Sequence, residues 1–255
     1  MIEGQRVAMV TGASEGVGEA IAARLVREGY RTAMLARGSA KFDAAAAALG
    51  EGAFAVACDL ARLEDIAQAV SQVRETCGRI DVLINCASTT RFGSAIALSD
   101  AEWVSGFEIK VLGALRLMRA AWPHLAETGG AIVNIGGVGA RTPGFAHAMS
   151  GPLSAALSAL TKAFADGGVA EGVRVNQINP GGVMTPRFAD WVETRARAEG
   201  RSSADLAAEM ARQGRYTRQG VPDDIAGMVA FLLSSEGELL QGAIIDMDGG
   251  MTKGL

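Results

Sequence analysis

Side chains that exchange protons near neutral pH are scarce in this sequence. Its 255 residues include two tyrosines, two histidines and four lysines. Because these residue types carry most acid–base chemistry outside the carboxylates, a mechanism that needs one of them has few positions available. The positions are Tyr30, Tyr216, His124, His147, Lys41, Lys110, Lys162 and Lys253.

Excess basic charge and paired cysteines are also lacking. The net charge of −4 argues against a nucleic-acid partner, which would normally require a basic face. Cys58, Cys77 and Cys86 form an odd set without metal-ligand spacing, so we expect no metal site and a reducing, cytoplasmic environment. The first apolar run is short and turns into glycine, which predicts neither a signal peptide nor a membrane segment.

Short apolar runs alternate with longer segments of helical periodicity. The strand-sized runs are residues 6–10, 31–35, 53–58, 80–85, 131–135, 173–178 and 243–247. The helical segments include residues 18–29, 63–78, 101–125 and 152–168. This alternation predicts an α/β protein: a single Rossmann domain over residues 1–255, with a doubly wound seven-stranded parallel sheet covered by helices on both faces.

One stretch between the last two apolar runs departs from this pattern. Residues 185–220 are polar and rich in arginine, and we expect them to form a flap over a binding cleft. A solvent-exposed helix pair without a functional role is the alternative. Tyr216 lies in this stretch and is the one tyrosine whose position allows it to approach a cleft.

A glycine-rich loop follows the first apolar run. Residues 11–18 read TGASEGVG and lead directly into a helical segment. Glycines allow close approach of the backbone, and a helix N-terminus offers free amides and a positive dipole end to a phosphate. In this strand–loop–helix context the glycines predict a dinucleotide phosphate site, with a simple turn as the alternative.

The TGxxxGxG pattern of this loop resembles that of the short-chain dehydrogenase/reductase family, and the resemblance extends over essentially the whole chain. Asp59 stands where that family contacts the adenine. Asn85 matches the first residue of the family's NNAG motif, although Cys86 and Ser88 replace an Asn and a Gly. For Asp59 and Asn85, capping of a turn or a strand end is the alternative role.

Two later motifs strengthen the resemblance. Residues 179–183 with Thr185 are similar to the family's PG motif beside the nicotinamide, and residues 248–250 are similar to its C-terminal signature. The resemblance implies a nicotinamide cofactor and a small-molecule substrate. It assigns the cofactor site to Gly12, Ser14, Glu15, Gly16, Val17, Gly18, Arg37, Asp59, Leu60, Asn85, Ala87, Pro180, Gly181, Val183 and Thr185.

The end of the second apolar run bears on which nicotinamide cofactor binds. An acidic residue there would bind the ribose 2′-hydroxyl and repel a 2′-phosphate, but residues 35–38 read LARG. Arg37 can pair with a 2′-phosphate, whereas Glu15 places a negative charge in the loop. We expect NADP(H) to be favoured over NAD(H).

The catalytic residues that the family usually carries are absent. Ser150 and Ser154 stand at the positions of the Tyr and the Lys in its Tyr-x3-Lys motif. Gly137 stands at the position of the Ser before that motif, and Lys110 at that of the Asn in the preceding long helix. Neither tyrosine is followed by a lysine at the family's spacing or at the wider Tyr-x6-Lys spacing of enoyl reductases. The resemblance therefore predicts a divergent member without the usual tetrad.

Four residues remain as candidates for the chemistry. His147 precedes Ser154 by the Tyr-to-Lys spacing of the enoyl reductases, and Lys110 can project an ammonium from the neighbouring helix. Our hypothesis is that Lys110 and His147 take over proton transfer, with Ser150 or Ser154 donating a hydrogen bond to a carbonyl. A polar loop histidine and a lysine at a subunit interface are the ordinary alternative.

Three functions remain open from the sequence. The first is an oxidoreductase with an atypical site that acts on a small carbonyl, hydroxyl or enoyl substrate. The second is a catalytically inactive nucleotide-binding homologue that serves as a sensor or partner subunit, and the third is a non-redox reaction on the same fold. By resemblance, helices within 101–125 and 152–166 should pair two or four copies into a dimer or tetramer.

Overall fold

One parallel sheet of seven strands organises the computed structural model, which describes residues 4–214 and 218–254. The strand order is β3-β2-β1-β4-β5-β6-β7. This arrangement confirms the predicted fold class, and every strand overlaps one of the apolar runs. The strands are β1 (Val7–Thr11), β2 (Arg31–Ala36), β3 (Ala53–Ala57), β4 (Val82–Asn85), β5 (Ala131–Ile135), β6 (Arg174–Pro180) and β7 (Ile244–Met247).

Nine α-helices connect the strands within the described residues. They are α1 (Gly16–Arg27), α2 (Ala40–Ala48), α3 (Leu63–Cys77), α4 (Asp100–Phe107), α5 (Ala114–Thr128), α6 (Ser150–Glu171), α7 (Pro186–Ala198), α8 (Ser203–Gly214) and α9 (Pro222–Leu233). The segment predicted as one helix over 101–125 is α4 and α5 joined by a π-helical turn, Glu108–Gly113. Such turns are rare and occur mostly at functional sites.

Alternate residues of each central strand pack on opposite faces of the sheet. In β1, Val7 and Met9 join a core with helices α3, α5 and α6, whereas Ala8 and Val10 join a core with α1, α2 and α9. The alternation follows from the two-residue repeat of an extended strand. Because both faces are covered, the apolar runs contain few polar residues.

The expected flap at 185–220 consists largely of the two helices α7 and α8. Val192 and Ala196 of α7 and Leu206 of α8 are buried against one another, so this segment has a small core of its own. Thr185 caps α7 by accepting a hydrogen bond from the amide of Phe188 at 3.2 Å. Tyr216 lies outside the described residues.

A series of buried side-chain hydrogen bonds crosses the sheet near the carboxyl ends of its strands. Asn85 Nδ2 donates to Asn134 Oδ1 at 2.8 Å, and Asn134 Nδ2 donates to Thr161 Oγ1 at 2.9 Å. The Thr161 hydroxyl lies 3.1 Å from Gln177 Oε1. Gln177 Nε2 donates to Asn179 Oδ1 at 2.7 Å.

The series ends at β7, where Asn179 Nδ2 donates to Asp246 Oδ1 at 3.0 Å. We call these six side chains the polar chain. Buried amides and hydroxyls must find partners, since an unpaired one costs about 1–3 kcal/mol. The polar chain therefore fixes the ends of β4, β5, β6 and β7 relative to one another.

Thr161→Val tests the polar chain with little change in side-chain volume. The substitution removes the hydroxyl that one N–H of Asn134 and the carbonyl of Gln177 contact, so the free energy of unfolding should fall by about 1–3 kcal/mol. Thr194→Val is the matched control. The hydroxyls of Thr161 and Thr194 both lie 2.8 Å from the carbonyl oxygen four residues earlier, but Thr194 is on the exposed side of α7.

Urea denaturation of the two variants measures the difference. The control should stay within about 0.5 kcal/mol of the parent protein, as is usual for surface substitutions. Equal shifts in the two midpoints, at unchanged slope, would show that the polar chain has no special role.

Candidate functional site

Glycines bring the loop after β1 into direct backbone contact with its neighbours. Gly12 has φ +66°, and a Cβ there would lie 2.8 Å from the Cα of Ala87. A Cβ at Gly18 would overlap the carbonyl oxygen of Gly12. Within the described ranges, the side chain of Glu15 caps none of the first amides of α1. These amides and the open backbone match what a pyrophosphate requires.

Two further segments that the sequence analysis assigned to the cofactor contact this loop. The Thr11 hydroxyl accepts hydrogen bonds from the amides of Cys86 and Ala87 at 2.9 and 3.1 Å, which ties β1 to the segment after β4. A Cβ at Gly16 would lie 3.4 Å from Thr185 Cγ2. The loop, the segment after β4 and the start of α7 thus surround one edge of the sheet.

The PG motif packs against the predicted C-terminal signature. A Cβ at Gly181 would lie 2.8 Å from the Cα of Asp248, and the amide of Gly181 donates to the carbonyl of Met247 at 3.0 Å. Val183 pairs with Gly220 in an isolated bridge. Pro180 ends β6 directly before this contact. The motif therefore lies at the carboxyl end of β6, beside Thr185.

Asp59, Leu60 and Asn85 have structural contacts of their own. Asp59 Oδ1 accepts from the amide of Ala61 at 3.0 Å, which is the turn-capping role given above as the alternative. Leu60 is buried beneath Gly113 of the π-helical turn. Asn85 donates into the polar chain, and its buried Oδ1 has no partner among the described residues. These contacts leave a role toward adenine or nicotinamide untested.

Lys41, to which the sequence analysis gave no role, lies beside the glycine loop. Arg37 is exposed after β2, and Ser14 in the loop and Val17 in the first turn of α1 are partly exposed. Lys41, in the first turn of α2, pairs with Glu15. The pair raises the pKa of Lys41 and offsets the negative charge that spoke against NADP(H). Its position four residues after Arg37 was the feature of the sequence that indicated a role for Lys41 near the loop.

Lys110 is turned into the protein by the π-helical turn. The residue is 6% exposed, and its Nζ donates to the carbonyl oxygen of Gly136 at 2.8 Å. Burial of the ammonium lowers the pKa of Lys110 to about 8, and the neighbouring Cys86 thiol opposes the shift. A lysine with this pKa exchanges protons close to neutral pH.

Ser150 and Ser154 lie at the start of α6, one turn apart on one side of the helix. A Cβ at Gly137 would be 3.2 Å from the Oγ of each serine. Ser154 is fully buried, and its hydroxyl has no hydrogen-bond partner among the described residues. The two serines and Lys110 therefore meet around the backbone of Gly136 and Gly137.

His147 lies apart from this group, among aromatic rings. Its ring centroid is 5.5 Å from that of Phe92 and 5.7 Å from that of Trp191, both edge-on. Partial desolvation of the imidazole beside these rings, with the charge of Arg195, lowers the pKa of His147. No hydrogen bond or ion pair joins His147 to Lys110 in the described part of the chain. The predicted pairing of these two residues remains untested.

Residues 4–214 and 218–254 contain neither a metal-binding cluster nor a membrane-spanning helix. No group of three or more His, Cys, Asp or Glu side chains in these ranges is placed to hold a metal ion. None of the helices there is long and apolar enough to cross a membrane.

A doubly wound sheet with a glycine loop at the carboxyl edge of β1 defines a nucleotide-binding protein of the Rossmann class. Comparison with known proteins narrows this class. A family model described as enoyl-(acyl carrier protein) reductase matches residues 12–252. The short-chain reductase protein NovJ of Streptomyces niveus is 33% identical over 250 residues, which are 96% of this chain and 94% of that protein. The chain belongs to the short-chain dehydrogenase/reductase family.

Solved structures agree with this assignment. L-sorbose reductase from Gluconobacter frateurii, complexed with NADPH and L-sorbose, superposes with a TM-score of 0.93 at 30% identity, covering 98% of each chain. A 3-ketoacyl-(acyl-carrier-protein) reductase from Brucella melitensis, complexed with NADH, superposes at 0.83 and 26% identity over 99% of this chain and all of that one. The chain is therefore similar throughout to NAD(P)-dependent oxidoreductases of this family, and its solved neighbours bind NADPH or NADH.

Gly18→Ala tests the phosphate site. The new Cβ overlaps the carbonyl of Gly12, and overpacking of about 1–3 kcal/mol corresponds to roughly fivefold to 150-fold weaker NADPH binding. Gly227→Ala in α9 is the control, because a Cβ there meets nothing within 4 Å. Thermal unfolding with and without NADPH measures binding. A Gly18→Ala protein that NADPH stabilises as much as the parent would contradict the assignment.

Proposed function

We propose that this protein is an NADP(H)-dependent reductase of small carbonyl or enoyl compounds, in which Lys110 supplies the proton that a tyrosine supplies in its relatives. The observation that carries the proposal is the position of Lys110. Its ammonium is buried, bonded to the carbonyl of Gly136 and adjacent to the residue that stands at the family's serine position. The titration of this ammonium near neutral pH suits a general acid.

The glycine loop supports the cofactor part of the proposal. The amides at the start of α1 would hold the pyrophosphate, and Thr185 and Gly181 lie where the nicotinamide end would reach. When bound, the nicotinamide supplies or accepts a hydride. Arg37 and the Lys41–Glu15 pair favour a 2′-phosphate, since the segments after β1 and β2 together carry two cations and one carboxylate at these positions. This charge balance is the basis for preferring NADP(H) over NAD(H).

The serines would hold the substrate. The Ser150 and Ser154 hydroxyls flank Gly137 and can donate to a carbonyl oxygen, which gains negative charge as its carbon becomes reduced. Lys110 then donates a proton to that oxygen and becomes a neutral amine. The amine regains its proton from solvent, and the net change is one hydride and one proton added across the carbonyl. His147, on the exposed segment before α6, is a candidate for contact with the substrate.

An inactive nucleotide-binding homologue, acting as a sensor or partner subunit, is the second candidate. The bond from Lys110 to Gly136 favours it, because this bond also gives the lysine a purely structural use. A non-redox reaction on this fold is not favoured by any contact described above.

We also propose that the protein assembles into a dimer or tetramer in the cytoplasm. Trp122 of α5 and Phe164 of α6 are partly exposed and lie 5.3 Å apart beside Arg119. Aromatic residues and arginine are enriched at interfaces between proteins. The three cysteines are free, as suits a reducing compartment.

Lys110→Met should abolish most of the reduction while the protein still folds and binds NADPH. Loss of a general acid slows turnover by about 10²–10⁴-fold, and replacing a buried charge with an apolar side chain of similar length is often neutral for stability. In the parent protein, kcat for reduction should fall as the pH rises through about 8, because the protonated form of Lys110 is lost. Oxidation of the alcohol should rise over the same range.

The control for this variant is Lys162→Met on the exposed side of α6. It should keep both the rate and the pH profile of the parent. If Lys110→Met reduces carbonyls at the parent rate, the proton comes from elsewhere. If the parent protein and Lys162→Met both bind NADPH but neither oxidises it with any carbonyl or enoyl compound tested, the protein is an inactive homologue.

Arg37→Ala tests the cofactor preference. Hydrogen bonds to a charged group contribute about 1.5–3 kcal/mol, so the dissociation constant for NADPH should rise at least about tenfold. NADH lacks the 2′-phosphate, and its binding should change by no more than about twofold. Arg27→Ala at the end of α1 is the control. Fluorescence titration with each cofactor gives the constants, and equal losses for both cofactors would show that Arg37 does not read the phosphate.

A further inference from the structure

Four aromatic side chains from three segments of the chain form a cluster. We call Phe92, His147, Phe188 and Trp191 the aromatic cluster. The rings of Phe92 and Trp191 are stacked with centroids 4.6 Å apart and planes at 28°. Phe188 lies 6.3 Å from Phe92 and 5.7 Å from Trp191, and His147 meets both stacked rings edge-on.

The cluster stands at the edge of the sheet where the candidate catalytic residues lie. Phe92 follows β4, His147 precedes α6 on the segment after β5, and Trp191 belongs to α7 after β6. Two contacts hold these segments together: Gly93 pairs with His147 in an isolated bridge, and Arg187 donates to the carbonyl of Ser88 at 3.2 Å. His147 is three residues before Ser150.

The rings are not sealed into a core. Phe92, Phe188 and Trp191 are only partly buried, and His147 is exposed. Apolar side chains beside them in the chain are open as well, since Phe145 is 67% exposed and Met184 is 38% exposed. An open aromatic surface beside hydroxyl donors is what a site for an apolar, flat ligand requires.

Charge around the cluster does not favour a small anion as its ligand. The guanidinium of Arg195 lies 5.6 Å from the centre of the Trp191 ring and so is engaged with that ring. The low pKa of His147 keeps its imidazole neutral at neutral pH. A neutral imidazole and three aromatic rings attract the positive edge or the face of another ring.

We infer that the aromatic cluster binds the substrate and that the substrate is a ketone joined to an aromatic ring. The ring would lie against Phe92, His147 and Trp191, which directs the carbonyl toward Ser150. This inference rests on the proposed function for the reaction, but the binding of aromatic ketones can be tested without turnover.

Two ketones with the same carbon skeleton provide the test: 2-acetylnaphthalene and its saturated analogue 2-acetyldecalin. Calorimetric titration of each into the protein, alone and with NADP⁺, gives dissociation constants in the absence of reduction. We expect the aromatic ketone to bind at least about fivefold more tightly, since two or more ring–ring contacts of about 0.5–1.5 kcal/mol each are gained. Equal binding of the two ketones would overturn the inference.

Phe92→Leu should remove most of this preference, because Phe92 contacts every other ring of the cluster. Phe231→Leu is the matched control, since Phe231 is a partly exposed ring on α9. If the cluster only supports the flap, Phe92→Leu will lower the melting temperature and leave the ratio of the two constants unchanged. Should Phe92→Leu fail to fold, His147→Leu on the exposed loop carries the same expectation.

Oxidation of NADPH with the same two ketones separates the two proposals. Reduction of both at similar efficiency would support the proposed function and refute the aromatic preference. Tight binding of 2-acetylnaphthalene that Phe92→Leu abolishes, with no oxidation of NADPH, would support the binding site and refute the reductase.

Discussion

Burial of polar side chains at the carboxyl edge of the sheet is the constraint on which the site depends. The polar chain can pair its amides only if the strand ends stay in register, and it also limits what may stand beside it. A Cβ at Gly136 would overlap Asn179 Oδ1 and Gln177 Nε2, so this position must be glycine. The carbonyl of Gly136 in turn receives the ammonium of Lys110. The polar chain and the candidate catalytic lysine therefore both contact Gly136.

Much of the fold was predictable because a parallel sheet covered on both faces needs apolar runs of strand length, and seven such runs are visible in the sequence. The π-helical turn at Glu108–Gly113 was not predictable, because its residues keep the apolar periodicity of the helices on either side. The segment 185–220 was expected to form a flap, with a solvent-exposed helix pair as the alternative. Its arginine-rich composition concealed the small apolar set, Val192, Ala196 and Leu206, that pairs α7 with α8.

Some features of the site are formed by residues close together in the sequence, and others by segments far apart in it. The glycine loop is a continuous pattern whose physics is local, and the structure places its glycines in contact as expected. The meeting of Ser150 and Ser154 follows from their spacing on one helix. By contrast, Phe92 and Trp191 lie 99 positions apart in the sequence, so their stacking depends on how the segments after β4 and β6 converge. A single sequence carries no signal for such a contact.

The π-helical turn accommodates one residue more than an α-helix of the same length would hold, while α4 and α5 on either side keep regular geometry. Deletion of one residue between Glu108 and Gly113 would close this turn into α-helix and leave the flanking helices packed as before. The inward direction of Lys110 would change with it. The presence of a buried ammonium at this site therefore depends on the length of one helix and not on the packing of the core.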